Sequence, residues 1–336
     1  MKIGIVGAGL QAKRRGPIVL QSKHEIVSIT AEHVDLAIPL AKELGCKAVS
    51  NWTDVVNSGI DALLVCTPPH VHAQISIEAM KKGIHVLCEK PLCTTLPDAE
   101  QMVKTAKENN VILKCGFNHR YHPAIRQVKK WVDEGQIGEI TFIRSIYGIG
   151  ARPDVQKEWR SNPKIAAGGQ LMEQGIHCID LMRWFIGTPQ EVVCLTSTPH
   201  SLIEPLEDNA FVTFKTEKSQ LVNIHSSILQ WKNHFSFEVF GTSGYAAMDG
   251  LGGSYGVEKA ILGKRDPYGP FAENILEFRG SDVSWKLEWE EFENSIKTRK
   301  EPEGNGIDGY ESLRMVFAAY QSQREKRTIN LNERSK

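Results

Sequence analysis

Lys2-Ile3-Gly4-Ile5-Val6-Gly7-Ala8-Gly9-Leu10-Gln11-Ala12 runs an apolar strand straight into G-x-G-x-x-A and the start of a helix. Such a turn aims a helix N-terminus, with its unpaired N–H groups and positive dipole end, at the phosphates of a dinucleotide. Gly7 permits the tight turn, Gly9 lets the backbone approach a pyrophosphate, and Leu10, Gln11 and Ala12 open the helix. Glycines in an ordinary turn would carry the same letters. Here, however, the segment heads a βαβ unit, and an acid, Glu32, ends the next expected strand, where a ribose diol is gripped. The charge of Glu32 favours NAD over NADP because it repels a 2′-phosphate, and Lys13, Arg14 and Arg15 nearby would soften that preference. Gly16-Pro17 is expected to kink the first helix or end it early.

Outward from this turn, short apolar runs at 2–6, 25–30, 61–66, 84–88 and 111–116 alternate with helical stretches at 35–44, 71–82 and after Pro97. Runs such as Ala62-Leu63-Leu64-Val65-Cys66 are apolar without alternation, as strands covered on both faces should be. Residues 1–120 are therefore read as a Rossmann-type, doubly wound parallel α/β sheet. From 121 the grammar changes to a helix at 123–134, an alternating strand at 139–147, a polar irregular stretch up to Gly169 and a buried helix at 171–186. Strands follow at 190–200, 207–216, 219–228, 234–241 and 244–249, separated by turn residues. Residues 121–336 are read as an α+β domain with a mostly antiparallel open sheet, closed by a helix at 309–325 that packs back on the body.

At 336 residues the chain exceeds what one core usually organises, consistent with two domains. Forty Lys and Arg balance forty Asp and Glu, so no field of one sign recruits nucleic acid or an anionic membrane. No apolar run is long enough for a membrane span. The seven cysteines (46, 66, 88, 93, 115, 178 and 194) show no C-x-x-C spacing and lie mostly in apolar stretches, as thiols of a reducing cytosol would. A soluble, cytoplasmic protein with a small-molecule partner is expected.

Two segments end strands on the carboxyl side of the parallel sheet, where open α/β sheets bind ligands: Cys66-Thr67-Pro68-Pro69-His70-Val71-His72 and Val86-Leu87-Cys88-Glu89-Lys90-Pro91. Lysines are usually solvated, but one partly desolvated against a nicotinamide has its ammonium form disfavoured, as proton transfer requires. In the second domain, Gly168-Gly169-Gln170-Leu171-Met172-Glu173-Gln174-Gly175-Ile176-His177 puts Glu173 and His177 four apart on one helix face, suited to orientation and proton shuttling. His177 could equally be a satisfied core histidine. No metal is expected, since a zinc site asks for a third ligand, and Asn118-His119-Arg120-Tyr121-His122 reads better as the mouth of the cleft.

Taken together, these motifs resemble the Gfo/Idh/MocA oxidoreductases over nearly the whole chain. The most specific element is Glu89-Lys90-Pro91, preceded by Thr67-Pro68 with His72 and followed by Gly116-Phe117-Asn118 with Arg120. The resemblance implies that Lys90 is the catalytic acid/base, assisted by Glu173 and His177. It also implies that Asn118, Arg120, Trp159 and Arg160 touch substrate, and that Thr67, Pro68, His72, Glu89 and Asn118 join the cofactor site. The sequence departs from the commonest pattern at Ala12, where glycine is usual, and at Glu173, where aspartate is usual. Implied substrates are sugars, sugar derivatives and cyclitols, with a C3-type ring hydroxyl favoured, and implied assemblies are homodimers or homotetramers. An NAD-dependent glycosidase working through transient oxidation and a nucleotide-binding regulator are the competing expectations. The joint presence of Lys90 and His177 weighs against the regulator.

Overall fold

The computed structural model describes residues 1–264, 266–270 and 272–332. The last four residues of the second expected domain, 333–336, lie outside them. Two compact units are formed, one from Met1–Asn118, Lys164–Ala167 and Trp285–Tyr310, the other from His119–Pro163, Gly168–Ser284 and the chain from Glu311 on.

In the first unit, strands β1 (Lys2–Val6), β2 (Glu25–Thr30), β3 (Lys47–Ala48), β4 (Ala62–Val65), β5 (His85–Cys88) and β6 (Leu113–Cys115) form one sheet in the order β3-β2-β1-β4-β5-β6. Every neighbouring pair is parallel. The order reverses between β1 and β4, and that switch point opens the crevice at the strands' carboxyl ends. Helices α1 (Leu10–Gln21), α2 (Val34–Leu44), α3 (Trp52–Val56), α4 (His72–Lys81) and α5 (Leu96–Glu108) connect the strands. The brief β3 and α3 are additions to the sequence reading. Pro17 neither ends nor interrupts α1, contrary to expectation. The buried face of Ala12, Arg15, Gly16 and Val19 holds the helix together, and Gly16 lies where a Cβ would stand 2.7 Å from a Leu44 methyl. A proline costs one backbone bond; tertiary burial offsets it.

The sequence reading assigned residues 285–310 to the second domain, and the structure corrects this. Helix α8 (Ser284–Thr298) sends Trp289, 2% exposed, and Phe292, fully buried, into the core cluster of Ile3, Ile5, Val19, Ile29 and Leu64. Lys114 of β6, with no exposed surface, holds the same region: it donates to Glu291 of α8 at 3.1 Å and to the Glu303 carbonyl. His72, also fully buried, braces the two loops of the crevice. Its Nε2 lies 2.8 Å from the Thr67 carbonyl and its Nδ1 3.0 Å from that of Pro91.

The second unit carries β7 (Ile140–Gly150), β8 (Glu191–Ser197), β9 (Asn209–Lys215), β10 (Leu221–Ser227), β11 (Leu229–Gly241), β12 (Gly244–Asp249), β13 (Glu258–Lys264), β14 (Ala272–Phe278) and β15 (Ile329–Asn330). They form one sheet ordered β14-β13-β12-β11-β7-β10-β9-β8-β15. Only the β7–β10 pairing is parallel. Helix α6 (Pro123–Asp133) packs on β12 and β13, and α7 (Ile176–Ile186) on β7 and β10, while α9 (Gly306–Glu325) closes the helical set. Alternation is clean along β9: Ala210, Val212 and Phe214 are buried and Phe211 is exposed. Phe142, Val193, Leu195, Phe211 and Leu221 are all exposed on this sheet, with Phe142 stacked on Phe240 at 4.3 Å and Phe211 on His225 at 4.0 Å. Six of the seven cysteines are buried. Among the described residues, no helix is long and apolar enough to cross a membrane.

Two outcomes follow from this packing. Trp289→Ala should lower unfolding free energy by about 3–5 kcal/mol in urea titration, and a loss below about 1 kcal/mol would contradict the role given to α8. Burial pushes the His72 imidazole below its ordinary 6.5, against the raising effect of the Thr67 and Pro91 carbonyls. Just below that value the unfolded chain takes up a proton that the folded chain does not, so stability falls as pH falls. His72→Gln should therefore lose less stability than wild type between about pH 7 and pH 5.5; equal losses would mean that the Thr67 and Pro91 carbonyls, to only one of which a neutral ring can donate, hold the ring protonated in the folded chain.

Candidate active site

The crevice of the first unit is built on close backbone approach. Gly7 adopts φ +102°, and a Cβ there would stand 2.5 Å from the Cys66 carbonyl oxygen, so β1 and β4 can end side by side only with glycine. Gly9 caps α1 in extended conformation with no side-chain cap and open space where its Cβ would be. The first N–H groups of α1 thus lack the side-chain oxygen that usually meets them. Glu32 is exposed just beyond β2. Gln11 Oε1 and Thr67 Oγ1 are buried with no hydrogen-bond partner among the described residues. An uncapped helix start, a free carboxylate and two orphaned oxygens fit a dinucleotide's pyrophosphate, ribose diol and polar groups. Pro68 precedes a short 3₁₀ turn over Pro69–Val71 that leads into α4.

Lys90 follows β5 and is half-buried. Its neighbour Glu89, 4% exposed, is held by Arg15 of α1, whose Nε donates to Oε1 at 2.7 Å. The same guanidinium donates through Nη1 to Glu288 of α8 at 2.8 Å and lies 4.8 Å over the Trp285 ring. Burial works against the charge of Arg15, but Glu89 and Glu288 outweigh it and hold the guanidinium protonated. Burial pushes the Glu288 carboxyl up while Arg15 pulls it down. A Cβ on Gly116 would stand 3.1 Å from both Arg15 Nη2 and Glu89 Oε2, which explains that glycine. Arg15, expected to soften the preference for NAD over NADP, is an internal tie, and His72 and Glu89, both expected in the cofactor site, are buried in the turns around it. Asn118, 4% exposed, stands just past β6.

In the second unit Glu173 lies in a π-helical turn, Leu171–Gly175, that runs into α7, so its spacing to His177 is not that of the regular helix expected. Such wide turns recur at functional sites. Arg160 Nε donates to Glu173 at 3.0 Å, and its guanidinium lies 4.4 Å over Trp159, which joins three of the expected substrate residues. His177, 4% exposed, stacks on His119 with ring centroids 3.9 Å apart and planes at 28°. Tyr147 lies 5.2 Å from His119. Burial, then Tyr255, pushes its phenol far up, so the hydroxyl stays neutral. Arg120, expected at the substrate, is 2% exposed and donates to Asp180 of α7 through Nε at 2.8 Å and Nη2 at 2.6 Å. This pair ties the 118–121 turn to the helix that bears His177. Tyr147 was not anticipated here, whereas His119 was read with Asn118–His122 as the mouth of the cleft and is buried in this ring cluster.

Residues 1–117 match the family model described as an oxidoreductase family with an NAD-binding Rossmann fold, and residues 125–247 match the GFO/IDH/MocA C-terminal domain. Levoglucosan dehydrogenase of Pseudarthrobacter phenanthrenivorans is 33% identical over 174 residues, 51% of this chain and 45% of that protein, so the alignment spans less than half of it. Myo-inositol 2-dehydrogenase of Thermotoga maritima is 28% identical over 99% of both chains. A solved levoglucosan dehydrogenase in complex with NADH superposes with a TM-score of 0.91 at 21% identity, over 99% of this chain and 100% of the other, which establishes the shared fold. The chain belongs to the GFO/IDH/MocA family of NAD-binding oxidoreductases.

Proposed function

We propose that this chain is a dehydrogenase that transfers a hydride between NAD and a ring hydroxyl, of C3 type, on a sugar, sugar derivative or cyclitol. The observation that carries the reading is Lys90 at the carboxyl end of β5, beside a Glu89 fixed by Arg15, in the crevice where α1 presents its uncapped N-terminus. Levoglucosan dehydrogenase and myo-inositol 2-dehydrogenase among the relatives support the substrate class. NAD, when bound, supplies the hydride acceptor. Gly7, Gly9, Leu10, Gln11 and Ala12 hold its pyrophosphate, Glu32 its ribose, and Thr67, Pro68 and Asn118 line the site. Glu32 favours NAD over NADP, all the more because Arg15 is paired internally and does not offer its charge to a 2′-phosphate.

Lys90 takes the hydroxyl proton as the hydride leaves, and His177 and Glu173 assist on the substrate side. Trp159 and Arg160 complete the grip on the substrate, Arg160 being oriented by Glu173. We further assign the exposed apolar residues of the nine-stranded sheet to assembly of two or four copies, since single exposed apolar side chains are ordinary but a row of them across one sheet is not.

The test is absorbance at 340 nm with NAD, then NADP, across inositols, hexoses, hexose phosphates and nucleotide sugars. Turnover with one group and with NAD preferred is expected; silence with cofactor bound would overturn the reading. Lys90→Ala should lower kcat by about 10²–10⁴ with NAD affinity retained, and wild-type turnover would remove Lys90 from the chemistry. Light scattering should give two or four times the 37.6 kDa chain mass, and a monomer would contradict the assembly surface.

A further inference from the structure

Glu207, ahead of β9, is 9% exposed and its carboxylate takes three donors. Oε2 accepts from the Gly169 N–H at 3.0 Å, and Oε1 from the Leu171 N–H at 2.9 Å and the Tyr320 hydroxyl at 2.7 Å. Its backbone carbonyl accepts from the Gln170 N–H at 3.0 Å. These are the N–H groups at the start of the helical run that carries Glu173 and then His177. That run has no side-chain cap of its own, either at Gln170 or at Gly175. A helix start left without partners is costly when buried, and a carboxylate is the group its dipole favours. Glu207 supplies from another part of the chain what the local sequence lacks.

The arrangement also explains the glycine pair that precedes the run. A Cβ on Gly169 would stand 2.1 Å from the Glu207 carbonyl oxygen and 2.4 Å from Oε2, and one on Gly168 would stand 2.3 Å from the Tyr320 hydroxyl. The chain must pass this close for the carboxylate to reach its donors. Burial pushes the Glu207 carboxyl up, and Tyr320 and the backbone donors hold it down.

We propose that Glu207, backed by Tyr320, is a positioning residue that sets the height and rotation at which Glu173 and His177 are presented to substrate. This rests on the function proposed above for those two residues. Misplacement by about 1 Å costs roughly 10²-fold in rate, and the π turn Leu171–Gly175 lies between the cap and His177.

The experiment compares Glu207→Gln, Tyr320→Phe and His177→Ala in the full chain, using the best substrate of the 340 nm panel. Glu207→Gln keeps the shape but turns an NH₂ group towards backbone donors. We expect kcat to fall about 10- to 100-fold, with the Kd for NADH, read by fluorescence, within about twofold of wild type. Amide hydrogen exchange over 169–175, measured without substrate, should quicken. Tyr320→Phe, which removes one donor only, should show the same pattern more weakly and serves if Glu207→Gln does not fold. Unchanged kcat in both cap variants, with His177→Ala inactive, would overturn this inference and leave the functional reading standing. Full turnover in His177→Ala would remove the role given to His177, and this inference with it, while the dehydrogenase reading carried by Lys90 stands.

Discussion

Arg15 lies between two buried carboxylates, and the layout of the first unit depends on that contact. One guanidinium joins α1, the turn that carries Lys90, and α8. Two carboxylates without a cation would not tolerate this burial, and a cation without them would not either. The sequence around it obeys the same demand: Gly116 leaves the space, and Trp285 covers the guanidinium face. Structural charge and proposed catalytic charge are thereby adjacent in sequence, Glu89 buried against Arg15 and Lys90 half-buried beside it.

The second unit handles its buried polar groups in the same way. Arg120 is paired with Asp180, His122 with Glu258 at 3.0 Å, and Glu207 with backbone donors and Tyr320. Each contact anchors a segment next to a proposed substrate residue. Ionisable groups buried at this density are retained where geometry has to be specified, because an apolar core of similar volume would serve stability as well.

Much of this was legible in the chain itself. The five main parallel strands announce themselves as apolar runs without alternation, and G-x-G-x-x-A and Glu89-Lys90-Pro91 mark the crevice because glycine geometry and strand ends leave local traces. What was not legible depends on contacts distant in sequence. Nothing local shows that Trp289 and Phe292 return to the first sheet, or that Arg15 is internal, since arginine on a helix ordinarily faces water. Strand β14 escaped because it is exposed on nearly every residue and carries no alternation. Pro17 misled because the local rule was overridden by packing, and the π turn at Glu173 has no residue signature.

The central claim is that hydride moves directly between a ring carbon and nicotinamide. Ring-deuterated inositols and hexoses, incubated with the protein and NAD, test it by the mass of the NADH formed. The account predicts one deuterium in each NADH molecule. NADH without the label would contradict it; aglycone released from a ring-deuterated glycoside with no net NADH would point instead to transient oxidation in a glycosidase.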